Sequence, residues 1–231
     1  KWMTEIREWD YISSQRIDKI IANSKYISRR IKKFWNLDAE VIYSPVNLKR
    51  FTPIKNPSLD YYVAFSRLVP YKRIDIALDA CKALGKNLVV IGSGSEEKSL
   101  KKRAAGEKNI TFTGRISDEK LCAYLQNCKA LIFCAEEDFG IVPLEAQACG
   151  RPVIAYGKGG VCETVKDGVT GVFFSEQTAD SAKEAIERFE ALDKKGAFKS
   201  ETIARHASSF SEERFIREFK AAVERARKEV Q

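Results

Sequence analysis

Short apolar runs recur along the chain and alternate with longer amphipathic stretches. Such runs are typical of strands buried on both faces of a sheet, and they occupy residues 61–65, 87–91, 109–113, 130–134, 153–156 and 171–174. The alternation continues from Tyr61 to about Leu192. It predicts an α/β fold with a Rossmann-like, mostly parallel sheet and helices on both of its faces.

Helical periodicity and capping residues predict the helices. They are expected at residues 1–18, 25–35, 74–84, 118–128, 143–149, 179–192 and 212–228. Ser24 and Ser117 are predicted N-caps, and Ser95 is the predicted N-cap of one further helix. A short strand is predicted at residues 18–22. The last helix is strongly amphipathic, which indicates that one of its sides packs against other parts of the protein.

The stretch 129–163 predicts a strand, an acidic loop, a short helix, a second strand and a glycine turn. Pro143 is the predicted first helical residue, because the N–H of that position has no partner in a helix. The N–H groups from Gly140 onward are then expected at a helix N-terminus beyond a parallel strand, which suits an anion. Glu137 and Glu145 frame this loop, and carboxylates accept hydrogen bonds from sugar hydroxyls. The predicted ligand is therefore a nucleotide-sugar, with phosphate at its centre and hydroxyls at both ends.

Composition excludes several classes of protein. The 231 residues are 44% hydrophobic and 31% charged, without an apolar run as long as a membrane span and without a signal peptide. The six cysteines form no C-x-x-C pair and are predicted to be reduced core thiols of a cytosolic protein. The one histidine, His206, argues against a zinc site and a hydrolytic triad.

The formal net charge is +8, and residues 1–35 contain nine Lys or Arg against four Asp or Glu. A solvated helix face, a contact with an anionic membrane and a nucleic-acid site are the three interpretations of this basic segment. No nucleic-acid-binding module is recognisable, so nucleic acid is not a predicted partner. The predicted localisation is cytoplasmic, with a peripheral position at the inner face of the membrane as an alternative.

From Glu137 onward the chain carries the pattern E-x-F-G-I-V-x-x-E-A-x-A-x-G-x-P-V-I-A-x-x-x-G-G-x-x-E. It resembles the signature of the retaining GT-B glycosyltransferases of family 4, also called group 1. The resemblance covers nearly the whole chain and is strongest from Tyr61 to Gly171. It implies that the chain is the C-terminal half of a GT-B enzyme, which binds a nucleotide-sugar donor and transfers the sugar with retention. The chain contains no Asp-x-Asp motif, in agreement with metal-independent transfer.

The loop at residues 66–73 resembles the family's G-R-L-x-x-x-K-G loop. Arg67 and Lys72 match the two cations that hold the donor diphosphate in the family, whereas Ser66 and Arg73 replace the glycines. These replacements resemble the branch that contains many mannosyltransferases. GDP-mannose is therefore the predicted donor, ahead of UDP-glucose.

The resemblance implies a set of site residues. Arg67, Lys72 and Glu137 are the predicted catalytic residues, with Glu137 on the hydroxyls of the donor sugar and Glu145 on the ribose. The predicted donor-binding residues are Ser66, Gly92, Gly94, Gly114, Arg115, Ile116, Phe139, Gly140, Ile141, Val142 and Glu145. The backbone around Arg115 is expected to meet the nucleobase. No metal and no cofactor is predicted, although the acidic residues 136–138 offer magnesium ligands as an alternative.

Three segments are predicted along the chain. Residues 1–50 are the end of an N-terminal domain and the interdomain linker, residues 51–210 are the nucleotide-sugar-binding domain, and residues 211–231 are a C-terminal helix that packs back toward the N-terminal domain. The chain lacks an initiator Met, which suggests a fragment. Its predicted partners are a nucleoside-diphosphate sugar and, through a missing N-terminal domain, a glycan or lipid-linked acceptor. The alternatives are a non-catalytic nucleotide-sugar-binding module and, third, an epimerase or phosphorylase.

Overall fold

The computed structural model describes residues 2–58 and 60–230. Lys1, Leu59 and Gln231, which belong to the predicted segments, lie outside the described residues. The strands are β1 (Ile21–Ala22), β2 (Glu40–Val41), β3 (Tyr62–Phe65), β4 (Leu88–Ile91), β5 (Ile110–Gly114), β6 (Ala130–Phe133), β7 (Val153–Tyr156) and β8 (Gly171–Phe174). The helices are α1 (Trp2–Ser14), α2 (Lys25–Trp35), α3 (Ile74–Ala83), α4 (Glu97–Arg103), α5 (Asp118–Asn127), α6 (Ile141–Ala148), α7 (Val161–Thr164), α8 (Ala179–Asp193), α9 (Ser200–Ser208) and α10 (Glu212–Val230).

Six strands of the described chain form one parallel sheet in the order β5-β4-β3-β6-β7-β8. The chain builds outward from β3 to one edge, then returns to β6 and builds toward the other edge. β3 and β6 are therefore neighbours whose crossover connections leave in opposite directions. Ligands of open α/β sheets bind at the carboxyl ends of two such strands. The predicted fold class is confirmed.

The core consists of two apolar layers, one on each face of this sheet. Tyr62 and Ala64 enter the layer under α3 and α8, whereas Val63 enters the layer under α5, α6 and α9. This follows from the strand period of two, which sends successive side chains to opposite faces. Because both faces are covered, every residue of β4, β6 and β7 is buried, as their apolar runs predicted.

The two N-terminal strands form a small sheet of their own beside α10. β1 and β2 pair in parallel outside the large sheet. α10 packs beside them: Lys19 forms an ion pair with Glu229, and Arg214 donates a hydrogen bond of 2.8 Å to the Tyr43 carbonyl. A groove of about 1060 Å³ runs between α10 and the two stretches that contain β1 and β2, residues 17–21 and 37–40. None of the helices described is both long and apolar enough to cross a membrane.

The N-terminal helix is shorter than predicted. It ends at Ser14 rather than at residue 18, because the hydroxyls of Ser13 and Ser14 bond to the carbonyls three residues earlier and compete with the next helical turn. Strand β1 accordingly begins at Ile21 rather than at residue 18. The apolar side of α1 lies in solvent, with Trp2 71% and Trp9 66% exposed.

Two further predictions of helix starts are wrong. Helix α6 begins at Ile141, so Pro143 is its third residue, because Gly140 already breaks the extended chain with a φ of +82°. Ser95 does not cap α4; Glu96 occupies that position, and its N–H donates to the Leu68 carbonyl at 2.9 Å. The structure also contains α7 and α9, which were not predicted; α7 has only four residues, too few to show helical periodicity.

Candidate functional site

The candidate site lies where the loops after β3 and β6 meet. The first, the cation loop, comprises residues 66–73 and contains a 3₁₀ turn at Pro70–Lys72. The second, the acidic loop, comprises residues 136–139 and leads into α6. Since β3 and β6 are adjacent and parallel, both loops leave the same edge of the sheet at its topological switch point.

Lys72 of the cation loop forms an ion pair with Glu137 of the acidic loop. The two side chains are only 16% and 20% exposed, so solvent screens their interaction less than it would at the surface. Burial lowers the pKa of Lys72, and the nearby Arg67 lowers this pKa further. Arg67 itself is exposed. A second cation thus lies near the Lys72–Glu137 pair, and the cation loop carries two positive side chains of the kind that bind a diphosphate.

Ser66 and Arg73 occupy the two positions of the cation loop at which the resembled family has glycine, and each makes a local hydrogen bond. Arg73 adopts the left-handed conformation with a φ of 51°, which normally favours glycine, and its guanidinium binds Asp75 through two hydrogen bonds of 3.1 Å. The Ser66 hydroxyl donates to the Arg67 carbonyl at 2.9 Å. The side chain of Arg73 thus turns toward α3. Its bonds to Asp75 stabilise the left-handed end of the cation loop, the position at which the resembled family has glycine.

Gly92 and Gly94 pack against the backbone of the cation loop. A Cβ on Gly92 would lie 1.9 Å from the Ser66 carbonyl oxygen, and one on Gly94 would lie 2.2 Å from the Leu68 carbonyl oxygen. The Leu68 N–H also donates to the Ser93 carbonyl at 3.0 Å. These two glycines therefore allow the cation loop to approach β4 closely, which is a reason for glycine that requires no ligand.

The residues predicted to meet the nucleobase lie one strand farther out. Gly114 ends β5 with a φ of +66°, and its carbonyl accepts a hydrogen bond of 3.0 Å from the Gly92 N–H. Arg115 is exposed, whereas Ile116 is half-buried and packs on the layer under α5. Since β4 separates β5 from β3, Arg115 flanks the switch point at the same edge of the sheet rather than lining it.

The three acidic residues at positions 136–138 each have a different partner. Glu136 accepts a hydrogen bond of 2.7 Å from the Tyr26 hydroxyl, and Asp138 pairs with Arg30 at 3.0 Å, while Glu137 pairs with Lys72. The carboxylates thus diverge instead of converging on one point. Within residues 2–58 and 60–230, no group of three or more His, Cys, Asp or Glu is arranged to hold a metal ion. Metal-independent chemistry stays a prediction.

The start of α6 supplies backbone donors beside the acidic loop. Phe139 is buried and stacks on Tyr43 with ring centroids 5.8 Å apart, which anchors the loop. After Gly140 the helix begins, with Ile141 exposed and Val142 half-buried. The N–H groups of the first helical turn have no intrahelical acceptors, and the helix dipole adds positive potential there.

Glu145 lies in the second turn of α6. Burial raises its pKa to about 7, although Arg50 opposes this effect. Its Oε2 atom is buried and has no hydrogen-bond partner among the described residues. A buried carboxylate oxygen without a donor costs free energy, so this position favours a ligand that supplies hydroxyl groups.

Gly159 and Gly160 are site residues that sequence reasoning did not select. A Cβ on Gly159 would lie 2.4 Å from the Glu137 carbonyl oxygen, and one on Gly160 would lie 2.2 Å from the Asp138 carbonyl oxygen. The Gly160 N–H donates to the Glu137 carbonyl at 2.8 Å. Both glycines belong to the pattern that begins at Glu137, so the sequence did mark them. Only the structure shows that they support the acidic loop.

We expect Gly159→Ala to lower the free energy of unfolding by about 1–3 kcal/mol more than Gly168→Ala. Both glycines have a left-handed φ, of +83° and +72°, so both variants carry the cost of that conformation. Only Gly159 faces a backbone atom at 2.4 Å, whereas nothing lies within 4 Å of a Cβ on Gly168, and overpacking adds the difference. Urea unfolding of the two variants measures it, and equal losses would contradict the tight fit of the acidic loop.

Comparison with known proteins identifies the family of this chain. The model of the family described as glycosyl transferases group 1 matches residues 47–204. The chain is 32% identical over 172 residues to an uncharacterised glycosyltransferase of Methanocaldococcus jannaschii, a match that covers 73% of this chain and 48% of that protein. It is also 32% identical over 217 residues to the D-inositol 3-phosphate glycosyltransferase of Mycolicibacterium smegmatis, with 84% of this chain and 50% of that protein covered. The chain thus spans about half the length of the curated relatives it matches.

Solved structures show the same fold. Sucrose-phosphate synthase from Thermosynechococcus elongatus superposes with a TM-score of 0.80 at 23% identity, over 90% of this chain and 58% of that one. Anabaena HepE, solved with UDP and glucose, superposes with a TM-score of 0.77 at 21% identity, over 90% of this chain and 63% of that one. The architecture matches the C-terminal Rossmann-like domain of GT-B glycosyltransferases. The chain belongs to the glycosyl transferases of group 1.

Proposed function

We propose that this chain is the donor-binding half of a retaining glycosyltransferase whose donor is GDP-mannose. The observation that carries the proposal is the buried Oε2 of Glu145, which has no hydrogen-bond partner among the described residues and lies on the helix that follows the acidic loop. A nucleoside-diphosphate sugar fits this arrangement: its diphosphate meets cations and amides, and its hydroxyls meet carboxylates. The acceptor of the proposed reaction is a glycan or a lipid-linked sugar.

The proposed chemistry assigns charge stabilisation to the two loops. Departure of the nucleoside diphosphate builds negative charge, which Lys72, Arg67 and the amides of Gly140 to Val142 stabilise. Glu137 accepts hydrogen bonds from the hydroxyls of the donor sugar, and Glu145 accepts them from the ribose. Because an incoming phosphate competes for Lys72, donor binding weakens the Lys72–Glu137 pair and leaves the Glu137 carboxylate available to the sugar.

The acceptor side of the proposed enzyme belongs to the part of the relatives that this chain does not span. Several apolar side chains of α1 and α10 are left uncovered by the described residues: Trp2, Trp9 and Ile216 are each at least half exposed. The groove between α10 and residues 17–21 and 37–40 adds a further uncovered surface along α10. We propose that an N-terminal domain covers this surface and brings the acceptor to the donor site.

Two nucleobases compete for the proposed site. The cation loop, with Ser66 and Arg73 in place of glycines, supports GDP-mannose by its resemblance to mannosyltransferases. In the structure Arg73 binds Asp75, so a local contact also accounts for an arginine at this position. The resemblance to mannosyltransferases is therefore a weaker argument for GDP-mannose. The Anabaena HepE structures contain UDP, glucose or UDP-glucose, which supports a uridine donor as the second candidate.

Calorimetric titration of the chain with GDP, UDP, ADP and NAD tests the donor site. We expect one nucleoside diphosphate, GDP, to bind, and Arg67→Ala to weaken its binding about tenfold, since one hydrogen bond between charged groups is lost. The matched control is Arg217→Ala, which removes an exposed arginine of α10 and is expected to leave the affinity unchanged. Preference for UDP would transfer the proposal to a uridine donor. Tight NAD binding, or no nucleotide binding by a folded chain, would overturn it.

Retention is tested on the complete polypeptide with its acceptor. The anomeric configuration of the product should equal that of the donor, which proton NMR of the transferred sugar measures. Inversion would overturn the retaining mechanism. Donor binding without any transfer would instead favour the non-catalytic module.

A further inference from the structure

The acidic loop is attached to α2, a helix more than a hundred residues away in sequence. The Ser24 hydroxyl, at the N-cap of α2, donates to the Asp138 carbonyl at 2.5 Å. In the first two turns, Tyr26 donates its hydroxyl to Glu136 at 2.7 Å, and Arg30 pairs with Asp138. The position of α2 therefore sets the position of the loop that carries Glu137.

Glu163 holds the beginning of α2 in place. Its two carboxylate oxygens accept hydrogen bonds from the N–H groups of Lys25 and Tyr26, at 2.9 and 2.8 Å. The Ser24 hydroxyl accepts a third N–H of the same turn, from Ile27 at 3.1 Å. A carboxylate that receives two backbone N–H groups at a helix N-terminus forms charge-assisted bonds, and the helix dipole strengthens them. Glu163 thus supplies to α2 a cap that no side chain of α2 itself provides.

Glu163 is in turn fixed to the other side of the acidic loop. It lies on α7, which starts directly after the Gly159–Gly160 turn, and the Gly160 N–H donates to the Glu137 carbonyl at 2.8 Å. Tyr43, whose ring stacks on Phe139, has its pKa raised to about 12, first by burial and then by the neighbouring Glu163 carboxylate. The acidic loop is therefore enclosed between α7 and α2, and Glu163 joins the two.

The contacts that hold the acidic loop against α2 differ in strength. The Arg30–Asp138 pair has both side chains more than half exposed, so solvent and salt weaken it. Glu163 is half-buried and makes its bonds to backbone groups that are rigid parts of a helix. Removing its carboxylate leaves two helix N–H groups without acceptors. The α2 contact of the acidic loop therefore depends on this carboxylate together with the buried Ser24 hydroxyl, which bonds directly to the Asp138 carbonyl.

We propose that Glu163 is a positioning residue for Glu137: by capping α2 it keeps the acidic loop at the distance from which Glu137 meets the donor sugar. This inference rests on the proposed function. The main effect is expected on the sugar, because Arg67 and Lys72 lie on the cation loop, to which Glu163 makes no hydrogen bond among the described residues. Loss of Glu163 is therefore expected to weaken recognition of the sugar more than recognition of the nucleoside diphosphate.

The test compares two ligands on the same variants by calorimetry. The probes are GDP and GDP-mannose, or UDP and UDP-glucose if the unaltered chain binds uridine. We expect Glu163→Ala to weaken the nucleotide-sugar about tenfold and the nucleoside diphosphate less than twofold, with Glu163→Gln in between because its amide oxygen still accepts one N–H. The matched control is Glu187→Ala, which removes an exposed glutamate of α8.

A second variant separates positioning from folding. Tyr26→Phe removes only the hydroxyl that contacts Glu136 and leaves both N–H bonds to Glu163, so the helix cap is intact. We expect the same preferential loss for the nucleotide-sugar, about two- to threefold, without a change in Tm. Equal losses for both ligands, or no loss for the nucleotide-sugar, in the Glu163 and Tyr26 variants would overturn the inference. Absence of nucleotide binding by the unaltered chain would overturn the proposed function and this inference with it.

Discussion

Glu145→Gln is expected to stabilise the chain without ligand and to impair its binding of nucleotide. In the native structure burial raises the pKa of Glu145 from its ordinary 4.5 to about 7. The unfolded carboxyl group ionises at the lower pH, so the native state carries an ionisation cost that is absent below pH 4.5 and complete above pH 7. That cost is about 3 kcal/mol, and the glutamine amide, which also needs partners in this buried place, recovers about 2 kcal/mol of it. Thermal unfolding at pH 8 should show a Tm about 4–8 °C higher, and at pH 4 little change.

The same substitution is expected to remove a pH dependence of binding. If ionised Glu145 accepts the ribose hydroxyls, the affinity of the unaltered chain falls about tenfold between pH 8 and pH 6, because the carboxyl group is protonated below its pKa of about 7. The phosphates of the ligand also titrate near pH 6, but they do so equally with both proteins, and the ratio of the affinities cancels their effect. Glu187→Gln on the exposed side of α8 is the control. A Tm that falls in Glu145→Gln at pH 8, or equal pH profiles, would contradict the assignment.

Lys72→Ala is expected to weaken nucleoside diphosphate binding by about 10- to 100-fold. Lys72 is shielded from solvent and pairs with Glu137 across the two loops, and a hydrogen bond to a charged group in such a place contributes about 1.5–3 kcal/mol. The variant also leaves Glu137 without its cation, which increases repulsion of the diphosphate. Calorimetric titration measures the change in Kd.

The control for this prediction is Lys183→Ala, which removes a lysine that pairs with the exposed Asp180 on α8. A pair of that kind contributes little, so affinity and Tm should both remain unchanged. The double variant Lys72→Ala, Glu137→Gln separates the two causes, because it removes the unpaired carboxylate and should recover part of the lost affinity. If Lys72→Ala changes the affinity less than twofold in a folded chain, the cation loop does not hold the diphosphate.

Elements with a continuous apolar run or a local cap could be predicted closely. Strands β7 and β8 have the predicted bounds, and α2 begins after Ser24, whose hydroxyl accepts the Ile27 N–H as a capping residue should. These features depend on neighbours in sequence. The start of α6 was misplaced because the rule for Pro143 is a preference, and the left-handed Gly140 decided the boundary instead.

Predictions that depend on distant partners were less complete. The apolar side of α1 was expected from its periodicity, yet nothing in the described chain covers it. The sequence alone allowed the acidic residues 136–138 to form a magnesium site. In the structure each of the three carboxylates instead has its own partner, which is Tyr26, Lys72 or Arg30. Gly159 was visible in the pattern, but its reason, the Glu137 carbonyl 2.4 Å from a Cβ, depends on how two loops meet.

The sequence by itself determined the parallel α/β sheet, the two loops at its switch point and the family, because these depend on apolar runs, caps and a long local pattern. Only the tertiary structure decided that Lys72 pairs with Glu137, that burial raises the pKa of Glu145 to about 7, and that Glu163 caps a helix 138 residues away. Burial and pairing at such separations depend on the order and register of the strands, since these set which loop ends become neighbours. No pattern within a single segment contains that information.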